Sequence, residues 1–236
     1  MKVVGLSDRG LKRSKNEDAY LIKESWGLYV ICDGMGGHRG GDVASRLAIK
    51  TINSCFEDDS SEKNISLLNH GIHQANKVIW EQGCINPEWH EMGTTITAAL
   101  INGLKLEIAH VGDSGCYHFR AGLISKITRD HTLAQKMVDQ GIIKTWEKRQ
   151  SSYNHILTRA LGVDEHVLVD NYEHELLKGD LLLLCSDGLS DMLEEAEILK
   201  IASNFDGDLN ETASKLLQQT LDRGGYDNIS LILIRI

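Results

Sequence analysis

Short apolar runs bounded by Gly, Asp or Asn dominate the chain. They are Val3 to Leu6, Leu28 to Cys32, Thr94 to Ile101, Leu104 to Val111, Cys116 to Phe119, Leu123 to Ile127, Val167 to Val169, Leu181 to Cys185 and Ile229 to Ile236. Their length, β-branched content and punctuation predict strands. Asn102-Gly103, both of which tolerate positive φ, predicts a tight hairpin and Ala121-Gly122 predicts another, so at least part of the sheet is antiparallel. Helical spacing marks about 41–57, about 61–82, about 132–140, and the pair 193–203 and 209–222. In the second of these, Ile65, Leu68, Ile72, Ala75, Val78 and Ile79 form one apolar stripe, with Ser61 and Glu62 placed to cap its start. The helices gather in two clusters separated by strands, which predicts α+β layering: two stacked antiparallel sheets flanked by helices. From about Gly141 to Asn154 the chain is irregular and polar, as a surface excursion or a functional loop would be.

Composition narrows this picture. At 236 residues, with 42% hydrophobic content and one proline (Pro87), residues 1–236 are expected to form one domain with a substantial core and no proline-rich linker. The net charge of −9 and the lack of a Lys/Arg run argue against binding to nucleic acid or to an anionic membrane surface. No apolar stretch approaches the roughly 20 residues of a membrane span, and no secretory signal pattern is visible. A cytoplasmic protein is the expectation. Five scattered cysteines without a C-x-x-C pair argue against a disulfide framework or a structural zinc site, and most are expected as small buried residues.

The candidate chemistry lies at strand ends. Three apolar runs lead into an Asp beside Gly: Cys32-Asp33-Gly34, Val111-Gly112-Asp113-Ser114-Gly115 and Cys185-Ser186-Asp187-Gly188. A fourth begins with its carboxylate, Asp227-Asn228-Ile229. If that last strand runs antiparallel to its neighbours, its start lies where theirs finish and four carboxylates converge. Such a cluster repels itself and calls for shared protons or bound cations, and oxygen-only ligands suit Mg²⁺ or Mn²⁺ rather than zinc. Any single Asp-Gly is as well read as a turn dipeptide. Near the N-terminus, Arg13 stands beside Glu17 and Asp18, a guanidinium fork for phosphate oxygens next to acids able to orient water.

Arg13 with Asn16-Glu17-Asp18, Asp33-Gly34-Met35-Gly36-Gly37-His38, Met92-Gly93-Thr94-Thr95, Val111-Gly112-Asp113-Ser114, Arg129-Asp130-His131, Leu157 to Gly162, Ser186-Asp187-Gly188-Leu189 and Asp227-Asn228-Ile229-Ser230 follow one another in a telling order. Over essentially its whole length the chain resembles bacterial metal-dependent protein phosphatases of the PPM/PP2C type. The resemblance implies a four-layer αββα sandwich that hydrolyses phosphoserine and phosphothreonine with two Mn²⁺ or Mg²⁺ ions, a metal-bridging hydroxide attacking phosphorus. By the same resemblance Asp33 bridges both metals and Gly34 lends its carbonyl to one, while Asp187 and Asp227 complete the other. Asp113 with Asp187 matches the site of a third, weaker ion. Glu17 and Asp18 match outer positions that hold metal-bound waters, Arg13 matches the phosphate-binding arginine, and about 132–156 corresponds to a flap beside the cleft. Phosphorylated proteins as substrates, a cognate Ser/Thr kinase and a monomeric state are expected.

Two departures from the family pattern stand out. Gly115 replaces an arginine common after Asp-Ser, which loosens the region of the third ion. Met35 replaces a histidine that eukaryotic relatives offer as general acid; His38 is near in sequence, with a structural role the simpler reading. Rival readings are a phosphoprotein-binding pseudophosphatase and a hydrolase of small phosphate esters. A scaffold role is a weaker rival, as is zinc held by His70/His73 or His155/His166.

Overall fold

The computed structural model describes residues 1–35, 40–58, 63–203 and 208–236. Its first sheet contains β1 (Lys2–Asp8), and its second contains β2 (Ala19–Lys23) and β3 (Leu28–Cys32). The short pair β4 (Gly34–Met35) and β5 (Gly93–Thr94) stands apart. The second sheet continues with β6 (Ile96–Asn102) and β7 (Lys105–Val111), the first with β8 (Gly115–Arg120) and β9 (Leu123–Lys126). β10 (Asp170–Glu175) completes the second, and β11 (Leu181–Cys185) and β12 (Ile229–Arg235) complete the first. The orders are β1-β12-β11-β8-β9 and β10-β7-β6-β3-β2, with every neighbouring pair antiparallel.

Helices α1 (Gly41–Asp58) and α2 (Ile65–Ile85) cover one sheet, followed in sequence by the short α3 (Leu133–Asp139). The four-residue α4 (Asp187–Ser190), α5 (Glu195–Ser203) and α6 (Leu209–Asp222) cover the other sheet. Strand alternation explains the layering, because successive side chains of a fully buried strand face opposite sides. In β3, Leu28, Val30 and Cys32 pack against α1 and α2, while Tyr29 and Ile31 face Leu182, Leu184, Ile232 and Ile234 of the opposite sheet. Leu183 and Leu233 turn outward onto Ala213 and Leu216 of α6. The result is helix, sheet, sheet, helix, as expected.

Details differ from the sequence pattern. The α2 apolar stripe is present, but the helix starts at Ile65, where the Asn64 side chain accepts a hydrogen bond from Leu67 N at 3.0 Å; Ser61 and Glu62 lie outside the described residues. In the β6–β7 hairpin, Asn102 pairs with Lys105, so the two turn residues are Gly103 and Leu104, one position later than expected. Ala121 and Gly122 do form the β8–β9 turn, both with positive φ. Val167 to Val169 joins no ladder; Val167 packs in the core under α2, and the neighbouring strand is β10 instead. Within the irregular stretch a 3-10 segment spans Thr145–Gln150. Cys32, Cys116 and Cys185 are buried, whereas Cys84 is exposed.

Candidate active site

The register brings the carboxylates to one rim. β11 ends where β12 begins, since Cys185 pairs with Leu231 and Ser186 N donates to Ser230 O at 3.0 Å. Asp187 and Asp227 therefore emerge side by side from antiparallel neighbours. On the facing sheet β3 ends next to the start of β6: Asp33 N donates to Thr95 Oγ1 at 3.0 Å, and Thr95 N returns a bond to Asp33 O at 2.8 Å. β7 ends beside them, and the turn to β8 puts Ser114 Oγ 2.7 Å from Thr95 Oγ1, which fixes the neighbouring Asp113 relative to Asp33.

Of the residues singled out from the sequence, Arg13, Glu17, Asp33, Gly34, Asp113, Asp187 and Asp227 line one open cleft of about 740 Å³. Asp18 sits behind them, 8% exposed, accepting from Ser186 Oγ at 2.8 Å. Ser186 in turn accepts from Ser230 N at 2.9 Å, so Asp18 is tied to the rim of the opposite sheet. Arg13 Nη2 donates to Asp227 Oδ2 at 2.6 Å. Gly34 is a position where no other residue fits: a Cβ there would lie 2.2 Å from Gly41 O and 2.5 Å from Glu17 O. That closeness seats Glu17 against the first residue of α1, whose N-terminus favours negative charge.

The electrostatics are those of a cation site. Burial, then the charges of Asp18, Asp187 and Asp113, push the Asp33 carboxyl well above its ordinary range. Asp187 is raised by burial and by Asp113, Asp191 and Asp227. Burial followed by the Asp130 charge takes Asp113 to about 7, and burial takes Asp18 to about 6. Asp187 Oδ1 and Asp18 Oδ1 are buried without a hydrogen-bond partner. Orphaned oxygens in a self-repelling, oxygen-only cluster fit hard divalent cations such as Mn²⁺ or Mg²⁺.

Asp191 is a residue of the site that the sequence pattern does not single out, and His155 enters it in another setting than the His155/His166 zinc pair. Asp191, one helical turn after Asp187, gathers the segment 149–155: its carboxylate accepts from Asn154 Nδ2 at 3.3 Å and pairs with His155 Nδ1 at 3.2 Å, and its carbonyl accepts from Arg149 Nη2 at 2.6 Å. His155 lines the cleft, and its ring nitrogen lies within 4.8 Å of carboxylate oxygens of both Asp187 and Asp191, so no pairing with His166 is needed to explain it. A helical i, i+4 spacing from Asp187 to Asp191 was the available signal. Where an arginine is absent at Gly115, Lys126 fills the room. A Cβ on Gly115 would lie 3.2 Å from Lys126 Cε and 2.6 Å from the Tyr117 ring, and Lys126 Nζ reaches Asp130 Oδ1 at 2.5 Å. Met35 lines the cleft, while His38 lies outside the described residues.

Two curated relatives align over nearly the whole chain. The serine/threonine protein phosphatase PstP of Mycobacterium tuberculosis is 35% identical over 233 residues, which is 99% of this chain but 44% of that protein. This chain thus spans less than half of the mycobacterial protein's length. The serine/threonine phosphatase stp of Listeria innocua is 34% identical over 235 residues, 97% of this chain and 93% of that one. The catalytic domain of PstP, solved in complex with two manganese ions, superimposes with a TM-score of 0.88 at 34% identity, covering 98% of this chain and 96% of that domain. The sequence profile described as protein phosphatase 2C matches residues 12–223, and with the relatives it establishes that the chain belongs to the protein phosphatase 2C family.

Proposed function

We propose that this chain is a metal-dependent phosphoprotein phosphatase that hydrolyses phosphoserine and phosphothreonine. The observation that carries the reading is the meeting of Asp33, Asp187 and Asp227 with Arg13 in one cleft. A PstP catalytic domain of the same fold holds two manganese ions, and the donor set here suits the same pair. Asp33, with the Gly34 carbonyl, would hold one ion and share the other with Asp187 and Asp227; Asp113 with Asp187 would hold a weaker third. When bound, Mn²⁺ or Mg²⁺ supplies positive charge opposite the phosphoryl oxygens and makes water acidic enough to serve as the nucleophile at neutral pH.

The chain's own residues do the remaining work. Arg13 has five N–H donors in a rigid fork; one bonds Asp227, and others are available to phosphoryl oxygens. The unpartnered Oδ1 of Asp18 and the carboxylate of Glu17 would orient water at the rim of the cluster. No thiolate takes part: Cys32 and Cys185 are buried, and burial raises both thiols, Cys185 to about 12. Met35 holds no transferable proton, so protonation of the departing hydroxyl is not its task.

In this reading residues 1–236 act as one catalytic domain, with about 132–156 as a flap tethered through Asp191. The chain acts as a cytoplasmic monomer on proteins phosphorylated by a Ser/Thr kinase. Among the described residues no helix is long and apolar enough to cross a membrane. The deciding experiment is turnover by purified protein of a phosphothreonine peptide, a panel of small phosphate metabolites and p-nitrophenyl phosphate, with Mn²⁺ or with EDTA. Mn²⁺-dependent release of phosphate from the peptide is expected. Peptide binding without turnover would mark a pseudophosphatase, and turnover of the metabolites alone a small-ester hydrolase.

A further inference from the structure

Arg13 sits on the loop that joins β1 to β2, and a loop bearing a phosphate ligand needs something to fix its shape. The last ladder pair before it is Asp8 with Ile229, so from residue 9 onward the sheet no longer holds it. Its two limbs are closed by one side chain from the other end of the sequence. Asn228 Nδ2 donates to Arg9 O and to Lys15 O, both at 2.9 Å, and Asn228 Oδ1 accepts from Glu17 N at 2.8 Å. Asn228 is 4% exposed.

The two carbonyls bracket Arg13, and the third bond fixes the backbone of Glu17. A short amide is the group that offers two donors and an acceptor from one stem. A carboxylate of the same shape would set negative oxygen against two carbonyl oxygens, and a hydroxyl would satisfy at most part of the set. The loop is further seated by Leu11 N donating to Gly225 O at 2.8 Å, and Gly10 packs so closely that a Cβ would lie 2.1 Å from Asp227 O. These contacts fix the loop's place on the strand start, and Asn16 Nδ2 ties its returning limb to Ser7 Oγ at 2.8 Å, while Asn228 joins the backbone of its beginning to that of its end.

We propose that Asn228 is a positioning residue for phosphate binding, acting through Arg13: it closes the 9–17 loop so that the guanidinium faces the cleft beside Asp227. The proposal rests on the phosphatase reading for the role of Arg13. It predicts a particular pattern of coupling. Asn228 should matter to the bound phosphate only while Arg13 is present to be positioned.

The test is a double-mutant cycle with Asn228→Asp, Arg13→Ala and the pair, all loaded with Mn²⁺. The readouts are KM and kcat for p-nitrophenyl phosphate and, by calorimetry, the Kd for inorganic phosphate. Asn228→Asp should raise KM and the phosphate Kd about tenfold while kcat falls less than about threefold. In the Arg13→Ala background the same substitution should add less than about twofold. Should Asn228→Asp fail to fold, Asn228→Ser carries the same cycle. An unchanged phosphate Kd in Asn228→Asp overturns the proposal, as does a full, independent loss in the Arg13→Ala background. A loss of Mn²⁺ affinity matching the loss of phosphate affinity also overturns it, because Asn228 would then act through Asp227. Phosphate binding is read without turnover, so wild-type inactivity toward phosphopeptides would count against the phosphatase reading and leave this result separate.

Discussion

Arg13 Nη2 and Asp227 Oδ2 lie 2.6 Å apart although the two residues are separated by 214 positions in the chain. The pair exists because β1 and β12 are adjacent strands, so the loop leaving β1 folds over the start of β12. In the proposed function it puts the donor offered to phosphate beside a carboxylate that would hold a cation. Arg13→Ala should raise KM for p-nitrophenyl phosphate about tenfold or more with a smaller loss in kcat. Arg13→Lys should recover little, because an ammonium lacks the planar fork. Steady-state constants for the two variants check this, and a KM unchanged in Arg13→Ala removes the residue from the role.

Asp33→Asn and Asp187→Asn should each abolish Mn²⁺-dependent turnover, a fall of at least about a thousandfold. Neither should unfold the protein. Each removes one charge from a buried cluster in which Asp187 and Asp113 raise Asp33 and Asp113 raises Asp187, so in EDTA the melting temperature should hold or rise. Thermal melts beside activity assays decide it; a large fall in melting temperature would mean that these carboxylates serve the fold.

Metal and protons should compete for the same oxygens. Asp113 at about 7 and Asp18 at about 6 are raised above the ordinary carboxylate value, so the metal-free folded state takes up protons as pH falls through that range. For those groups, metal-free stability declines as pH rises through 6 to 7, the opposite of a paired carboxylate. Buried His110, lowered to about 3, works the other way below its unfolded value, but it is common to both forms and cancels in a difference. The gain in melting temperature on adding Mn²⁺ should therefore grow from pH 6 to pH 8. A gain independent of pH would contradict a carboxylate site.

The opposite rim carries a stabilising cluster with no part in the chemistry. Asp180, 3% exposed, accepts from His118 Nε2 at 2.9 Å, from Leu177 N at 2.8 Å and from Arg120 Nη2 at 2.5 Å. Although burial works to raise it, bonds from Arg120, Leu177 and His118 hold its carboxyl well below the usual range. Its contribution is present above the unfolded carboxylate value and lost as pH falls further. Asp180→Ala should cost about 2–4 kcal/mol and lower the melting temperature by roughly 5–12 °C, with kcat/KM unchanged. Loss of activity at temperatures where the variant remains folded would argue against this separation.

The strand-end carboxylates were legible because apolar runs such as Leu181 to Cys185 announce buried strands, and a buried strand fixes where its next residue emerges. β10 was not legible: Asp-Asn-Tyr-Glu-His-Glu is polar throughout, and it is a strand because β7 offers an open edge. β2, Ala-Tyr-Leu-Ile-Lys, is short rather than polar, and it pairs with β3 at the other edge of that sheet. Val167 and Val169 read as a strand but serve as apolar anchors for an extended segment under α2. The meeting of Asp191 with His155 joins a helix end to a loop, which no periodicity encodes, so the sequence offers His155 only as a weak zinc candidate with His166. Asn228 was visible in its motif, yet its three partners lie more than two hundred positions away.

A crystal of the protein grown with Mn²⁺ and measured at the manganese absorption edge tests the central claim most directly. Two strong anomalous peaks are predicted within bonding distance of Asp33, one of them shared with Asp187 and Asp227 and the other touching the Gly34 carbonyl, with any third, weaker peak beside Asp113 and Asp187. Peaks confined to His155, Asp187 and Asp191, or none within reach of Asp33, would contradict the account.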